Sequence, residues 1–278
     1  MGRRLLSQVH PLFYFLSVWA HRLHRYGRWV CGGQRFAAEQ TAERLPYRVK
    51  KHQSVLIKKL GDSDRQLQYN KVENLRIALR RIDGLLIRPG ETFSFCQRVG
   101  LPTRRKGYLP GMELSLGEAR AGIGGGICQI SNLLYWLALH SPLTVVERHH
   151  HSFDPFPDEG RVLPFASGAT VFYNYRDLQI KNDTPHTFQI RLWLSAKCLE
   201  GELRVDAVLP HSYHVYEREH AFLRREGKYF RKNELWRDTI DKRASRVVHT
   251  ECVVKNFAEV KYVPAIFQSE AGGGGGGA

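Results

Sequence analysis

Paired cysteines are missing from this 278-residue sequence. Its five cysteines (Cys31, Cys96, Cys128, Cys198 and Cys252) stand far apart, are odd in number and form no Cys-x-x-Cys. That excludes a disulfide framework and fits a reducing compartment, or a chain holding one reactive thiol among inert buried ones. Long apolar runs are missing too. The aromatic-rich stretch from Pro11 to Ala20 is ten residues long, half of the about 20 that a membrane-spanning helix needs. Phosphate-binding motifs fail in detail: Gly122-x-Gly124-Gly125-Gly126 has no following Lys-Ser or Lys-Thr, and Ile127 fills the sixth position of a dinucleotide fingerprint. No zinc finger, helix-turn-helix or aromatic RNA-binding signature is present, which argues against a nucleic-acid partner. Finally, no acidic residue precedes Glu39.

What is present begins with charge. A net charge of +15 points to an acidic partner such as anionic lipid or an anionic wall polymer or precursor, or to a basic surface that serves solubility. Residues 1–38 carry six arginines: Arg3, Arg4, Arg22, Arg25, Arg28 and Arg35. A basic start, a short apolar run and Val18-Trp19-Ala20 loosely imitate a signal peptide, but Gln8, His10 and Pro11 open the run and basic residues continue beyond it. The segment reads better as a basic amphipathic helix that lies on an anionic membrane face or docks on its own domain. The location expected is cytoplasmic or peripheral to the membrane, with export left open.

Hydrophobic residues at 42% and charged residues at 25% are ordinary for a globular chain with a substantial core. After the basic segment, residues 39–52 are polar and read as a linker. Residues 53–195 read as the core domain, 196–268 as a β-rich C-terminal section and 269–278 as a flexible glycine tail. Val72, Leu75, Leu79 and Ile82 mark one face of a helix over 71–82, and Ile130, Leu133, Leu134, Leu137 and Ala138 do so over 128–140. Strands are expected at 54–58, 92–95, 143–147, 169–175, 178–181, 187–194, 203–209, 214–217 and 246–255. The fold class is therefore α+β, a mostly antiparallel sheet with few helices plus the N-terminal amphipathic helix.

The most informative stretch is Gly124-Gly125-Gly126-Ile127-Cys128-Gln129. It places a thiol where a glycine turn meets a helix start, where unpaired N–H groups and the helix dipole favour thiolate. Twenty-one residues on, His149-His150-His151 supplies an imidazole base at a strand end, with His149 and His151 on one side. The spacing permits nucleophilic chemistry with Cys128 as thiolate and His149 or His151 as base and then acid. Asp154 or Asp177 would orient the ring, and Gln129 would donate to an oxyanion by its backbone N–H or side chain. Gly124, Gly125, Gly126 and Arg148 would approach the substrate, Arg148 taking a terminal carboxylate. No cofactor is required. Two alternatives stand beside it: a zinc site from Cys128, His149 and His151 with Asp154 or His140 as fourth ligand, and a non-catalytic module in which Cys128 is a small buried hydrophobe.

Four blocks in register carry a resemblance. They are Pro89-Gly90-Glu91-Thr92-Phe93-Ser94-Phe95, the Gly124 to Ser131 stretch, Leu143-Thr144-Val145-Val146-Glu147-Arg148-His149, and Ala169-Thr170-Val171 with Asp177-Leu178 and Asn182-Asp183-Thr184. Together they resemble the VanW family, associated with the vancomycin-resistance cluster of the B type, most strongly over residues 50–195. Gly168 stands where that family usually carries an Asp, which removes a third catalytic carboxylate, and His150 fills the free position of Glu-Arg-His-x-His. The resemblance implies glycopeptide resistance or cell-envelope work. On it, the substrate is an amide or ester in a peptidoglycan stem peptide or precursor, or the module binds that polymer or precursor.

Overall fold

The computed structural model describes residues 11–57, 65–115, 118–150, 153–154 and 162–267. Along the chain run α1 (Pro11–Cys31), β1 (Tyr47–Val55), α2 (Arg65–Leu79), β2 (Leu86–Ile87), β3 (Thr92–Ser94) and α3 (Phe95–Val99). The hairpin of β4 (Pro110–Ser115) and β5 (Glu118–Ile123) follows, then α4 (Cys128–Leu139), β6 (Thr144–Glu147) and β7 (Phe153–Asp154). The remainder is β8 (Gln179–Lys181), β9 (Phe188–Leu194), β10 (Cys198–Val205), β11 (His211–Arg225), β12 (Lys228–Asp241) and β13 (Arg246–Val260). This is the α+β class expected, and among the described residues these strands pair antiparallel with one another except for β7 on β13.

The site is positioned by α4. Its buried residues include Ile130, Ser131 and everything from Leu133 to Leu139, so it is apolar nearly all round and runs through the interior rather than over it. It lies on a sheet ordered β1-β10-β9-β2. At Gly201 of β10 an added Cβ would sit 2.4 Å from Leu133 Cδ2, so glycine lets helix and sheet approach closely. A second sheet, β3-β8-β6, carries the strand that ends at Glu147. The third, β11-β12-β13-β7, forms a long hairpin ribbon whose turn uses Glu226 (φ 49°) and Gly227 (φ 72°), the paired positive φ of a two-residue hairpin loop.

Several expectations shift. β1 opens at Tyr47, inside the stretch read as a linker, and β10 pairs with β9 and β1 although it lies beyond residue 195. The strand expected over 169–175 is absent. Phe172 O instead accepts from the N–H groups of Tyr175 and Arg176, and Asn174 takes φ 54°, so the chain turns where its β-branched and aromatic residues suggested extension. Residues 1–10 and the glycine tail lie outside the described residues.

Candidate functional site

The glycine turn is shaped by backbone crowding. Gly124 (φ +79°) and Gly126 (φ +90°) occupy the left-handed region, and a Cβ on Gly125 would lie 2.1 Å from Gly111 O. Asn74 pins the turn by donating to Gly125 O at 3.0 Å. These glycines meet protein on their close sides, so they serve packing where substrate approach was expected.

Cys128 is the first residue of α4, as expected. Its electrostatics are not as expected. The neighbouring amides are already engaged, Gln129 N donating to Gly126 O at 3.1 Å and Ile130 N to Ile127 O at 3.0 Å. The thiol itself donates to Val171 O at 3.7 Å. Burial pushes its pKa up, against a smaller lowering by the Val171 hydrogen bond, so desolvation outweighs the helix terminus.

The residues expected around the sulfur are committed elsewhere. Gln129 donates its side-chain N–H groups to Ser54 Oγ and Val55 O, both at 2.9 Å, tying α4 to β1. With its backbone N–H also spent, it offers no oxyanion donor. Arg148 donates to Gly168 O at 2.9 Å and to Ala166 O, and its guanidinium lies 4.9 Å over the Tyr135 ring. It braces the 166–168 loop. Asp177 accepts from Ser94 Oγ at 2.5 Å, Cys96 N at 2.8 Å and Gln179 Nε2 at 3.1 Å. Ser94 in turn caps α3 by accepting from Gln97 N, so Asp177 organises that helix start rather than an imidazole. Burial raises the Asp177 pKa, and hydrogen bonds from Ser94, Cys96 and Gln179 oppose the rise. Asp154 pairs with Arg231 at 3.4 Å under the C-terminal ribbon. His140 is buried against Trp136, with Nδ1 2.9 Å from Trp136 O.

The imidazole of His149 is held by a residue that the sequence reading did not place in the site. Glu147 Oε1 lies 3.1 Å from His149 Nε2 and accepts from Asp177 N at 3.1 Å. Arg25 of α1 clamps both carboxylate oxygens of Glu147, at 2.5 and 2.6 Å. Burial alone would raise the Glu147 pKa, but the hydrogen bonds from His149 and Arg25 prevail and hold it near about 2. The available signal was the spacing: positions 147 and 149 are two apart at a strand end and face one side.

Cys128 and His149 therefore approach one loop, each bonded to a different partner. Thr170 N donates to His149 O at 2.8 Å, and the next residue, Val171, takes the thiol. Beside this loop lies a cavity of about 30 Å³, lined in part by Cys96, Ile127, Val171 and Tyr173, with room for water rather than a substrate. His151 lies outside the described residues. Among the described residues no group of three or more His, Cys, Asp or Glu is arranged to hold a metal ion, and no helix is long and apolar enough to cross a membrane.

Comparison with known proteins sets this geometry in a lineage. A family profile described as VanW like protein matches residues 70–204, the span that holds the glycine turn, α4, Glu147 and Asp177. The chain carries a VanW-like region over those residues. The chain is 28% identical over 262 residues to the vancomycin B-type resistance protein VanW of Enterococcus faecalis, covering 94% of this chain and 95% of that protein. It is 34% identical over 123 residues to the uncharacterized protein YoaR of Bacillus subtilis, covering 44% of this chain and 39% of that longer protein. No solved structure matches the chain.

Proposed function

We propose that this chain is a VanW-family, vancomycin-resistance-associated protein of the cell envelope that binds wall polymer or its precursor, without covalent catalysis at Cys128. The carrying observation is the state of that thiol. It is a hydrogen-bond donor to Val171 O, burial opposes its ionisation, and among the described residues His149 turns its Nε2 to Glu147. A nucleophilic cysteine needs the opposite, a thiolate stabilised by a base or by free amides. The association with vancomycin resistance and the envelope rests on the likeness to the Enterococcus faecalis protein over nearly the whole of both chains. The net charge of +15 complements the carboxylates of stem peptides and of anionic wall polymers.

The test is co-sedimentation of the purified chain with insoluble peptidoglycan, together with calorimetry against a soluble stem peptide. Cys128→Ala is expected to bind as the native chain does, and mass spectrometry is expected to find Cys128 alkylated only above the free-thiol midpoint of about 8.5. Absence of binding to both ligands would sink the binding reading. Stem-peptide cleavage that disappears in Cys128→Ala would restore the nucleophile.

A further inference from the structure

We propose that the outward face of α1 docks on an anionic lipid surface. The helix has two distinct sides. Val18, Arg22, Arg25 and Trp29, spaced four, three and four apart, face the domain. There Arg25 clamps Glu147, Arg22 lies 5.6 Å over the Tyr173 ring, and Trp29 meets Phe36 edge-on at 6.3 Å. The helix is thereby fixed to the domain on this side.

Phe15, Leu16, Trp19, Leu23, Tyr26 and Val30 form a second stripe, all of them exposed, with Leu23 at 64% and Val30 at 82% of full accessibility. At about 100° per residue they fall within a band about 100° wide. Tyr26 belongs to the stripe by its ring while its hydroxyl meets Tyr173 OH at 2.5 Å. A continuous apolar band of this size on a globular surface marks a docking face.

Charge selects the occupant. Residues 1–38 contain six arginines and no acid at all, with Arg28 exposed on the side of the helix away from the stripe and therefore within a Debye length of any surface the stripe meets. The three-and-four spacing from Leu16 to Val30 would suit a coiled coil with a second copy. Pairing two such helices, however, would bring two basic segments together with no carboxylate in either to offset the charge. A lipid surface with negative headgroups meets both requirements: acyl chains take the Leu, Val and Phe side chains, the interface takes Trp19 and Tyr26, and the headgroup charge offsets the excess positive charge of the segment. The helix is not apolar enough to cross a bilayer, so it lies in the surface plane and carries the domain with it.

The experiment is sedimentation of the full chain with phosphatidylglycerol vesicles and, separately, with phosphatidylcholine vesicles. The native chain is expected to pellet with the former and to be released by salt. Leu16→Glu combined with Leu23→Glu, at exposed positions where circular dichroism can confirm the fold, is expected to weaken binding about tenfold or more. Failure to bind phosphatidylglycerol overturns the proposal, as does equal binding to phosphatidylcholine or binding unchanged in the double variant. A solution dimer that the double variant dissolves assigns the stripe to a second copy and overturns it equally.

Discussion

At Glu147 burial favours the neutral acid, while Arg25, His149 and the Asp177 amide favour the carboxylate; the second set prevails. A folded pKa near about 2, below the ordinary 4.5, means that this group contributes stability above pH 4.5 and loses it as pH falls towards 2. His140 acts in a higher window. Burial holds its pKa near about 4 against 6.5, with the Trp136 carbonyl opposing. The unfolded chain therefore takes up that proton first, and stability falls from pH 6.5 down to 4, by on the order of 3 kcal/mol. Urea titrations at stepped pH are expected to show both declines. His140→Phe should flatten the upper one and Glu147→Gln the lower; a decline unchanged in either variant would refute its assignment. The sequence named His140 and Glu147 as residues but could not give their burial, which depends on α4 lying inside the molecule and on α1 folding back over β6.

Elements impose their own constraints. The turn before α4 accepts only glycine at position 125, because a methyl group would enter the Gly111 carbonyl. Gly125→Ala is therefore expected to cost about 2–4 kcal/mol or more, seen as a lowered urea midpoint; a change under about 0.5 kcal/mol would show that the two backbones separate freely. The glycine run and the helix behind it were legible from the residues themselves, since both follow from local periodicity and conformational freedom. The consequence drawn from them was not. A helix start lowers a thiol pKa only when its amides are free and water remains nearby, and at Cys128 the amides of Gln129 and Ile130 bond back to Gly126 and Ile127. Similarly, α1 was recognisable as amphipathic, but its anchoring through Arg25 was not. Arg25→Met is expected to speed proteolytic removal of α1 while leaving the remaining domain resistant. Unchanged cleavage would show that Trp29 and Tyr26 suffice to hold the helix.

Across the whole molecule one core links parts that the sequence divides. Leu209, Val215 and Leu235 from the C-terminal segment join the same buried cluster as Leu139, Phe188 and Ile190, and Arg237 donates to Ser141 O at 3.2 Å. The chain is thus expected to unfold in one calorimetric transition, with Leu235→Ala lowering it by about 2–5 kcal/mol. Two separate transitions, only one of them moved by Leu235→Ala, would instead make the C-terminal ribbon an independent unit. Sequence alone determined the α+β class, the glycine turn, the helix that begins at Cys128 and the basic amphipathic N-terminus, because each rests on spacing or conformational freedom within a few residues. Tertiary structure alone decided which groups are neutral, which are paired and which are already spent. Those properties depend on partners such as Arg25 and Glu147, 122 residues apart, and on water excluded by elements that meet only when the whole chain has folded.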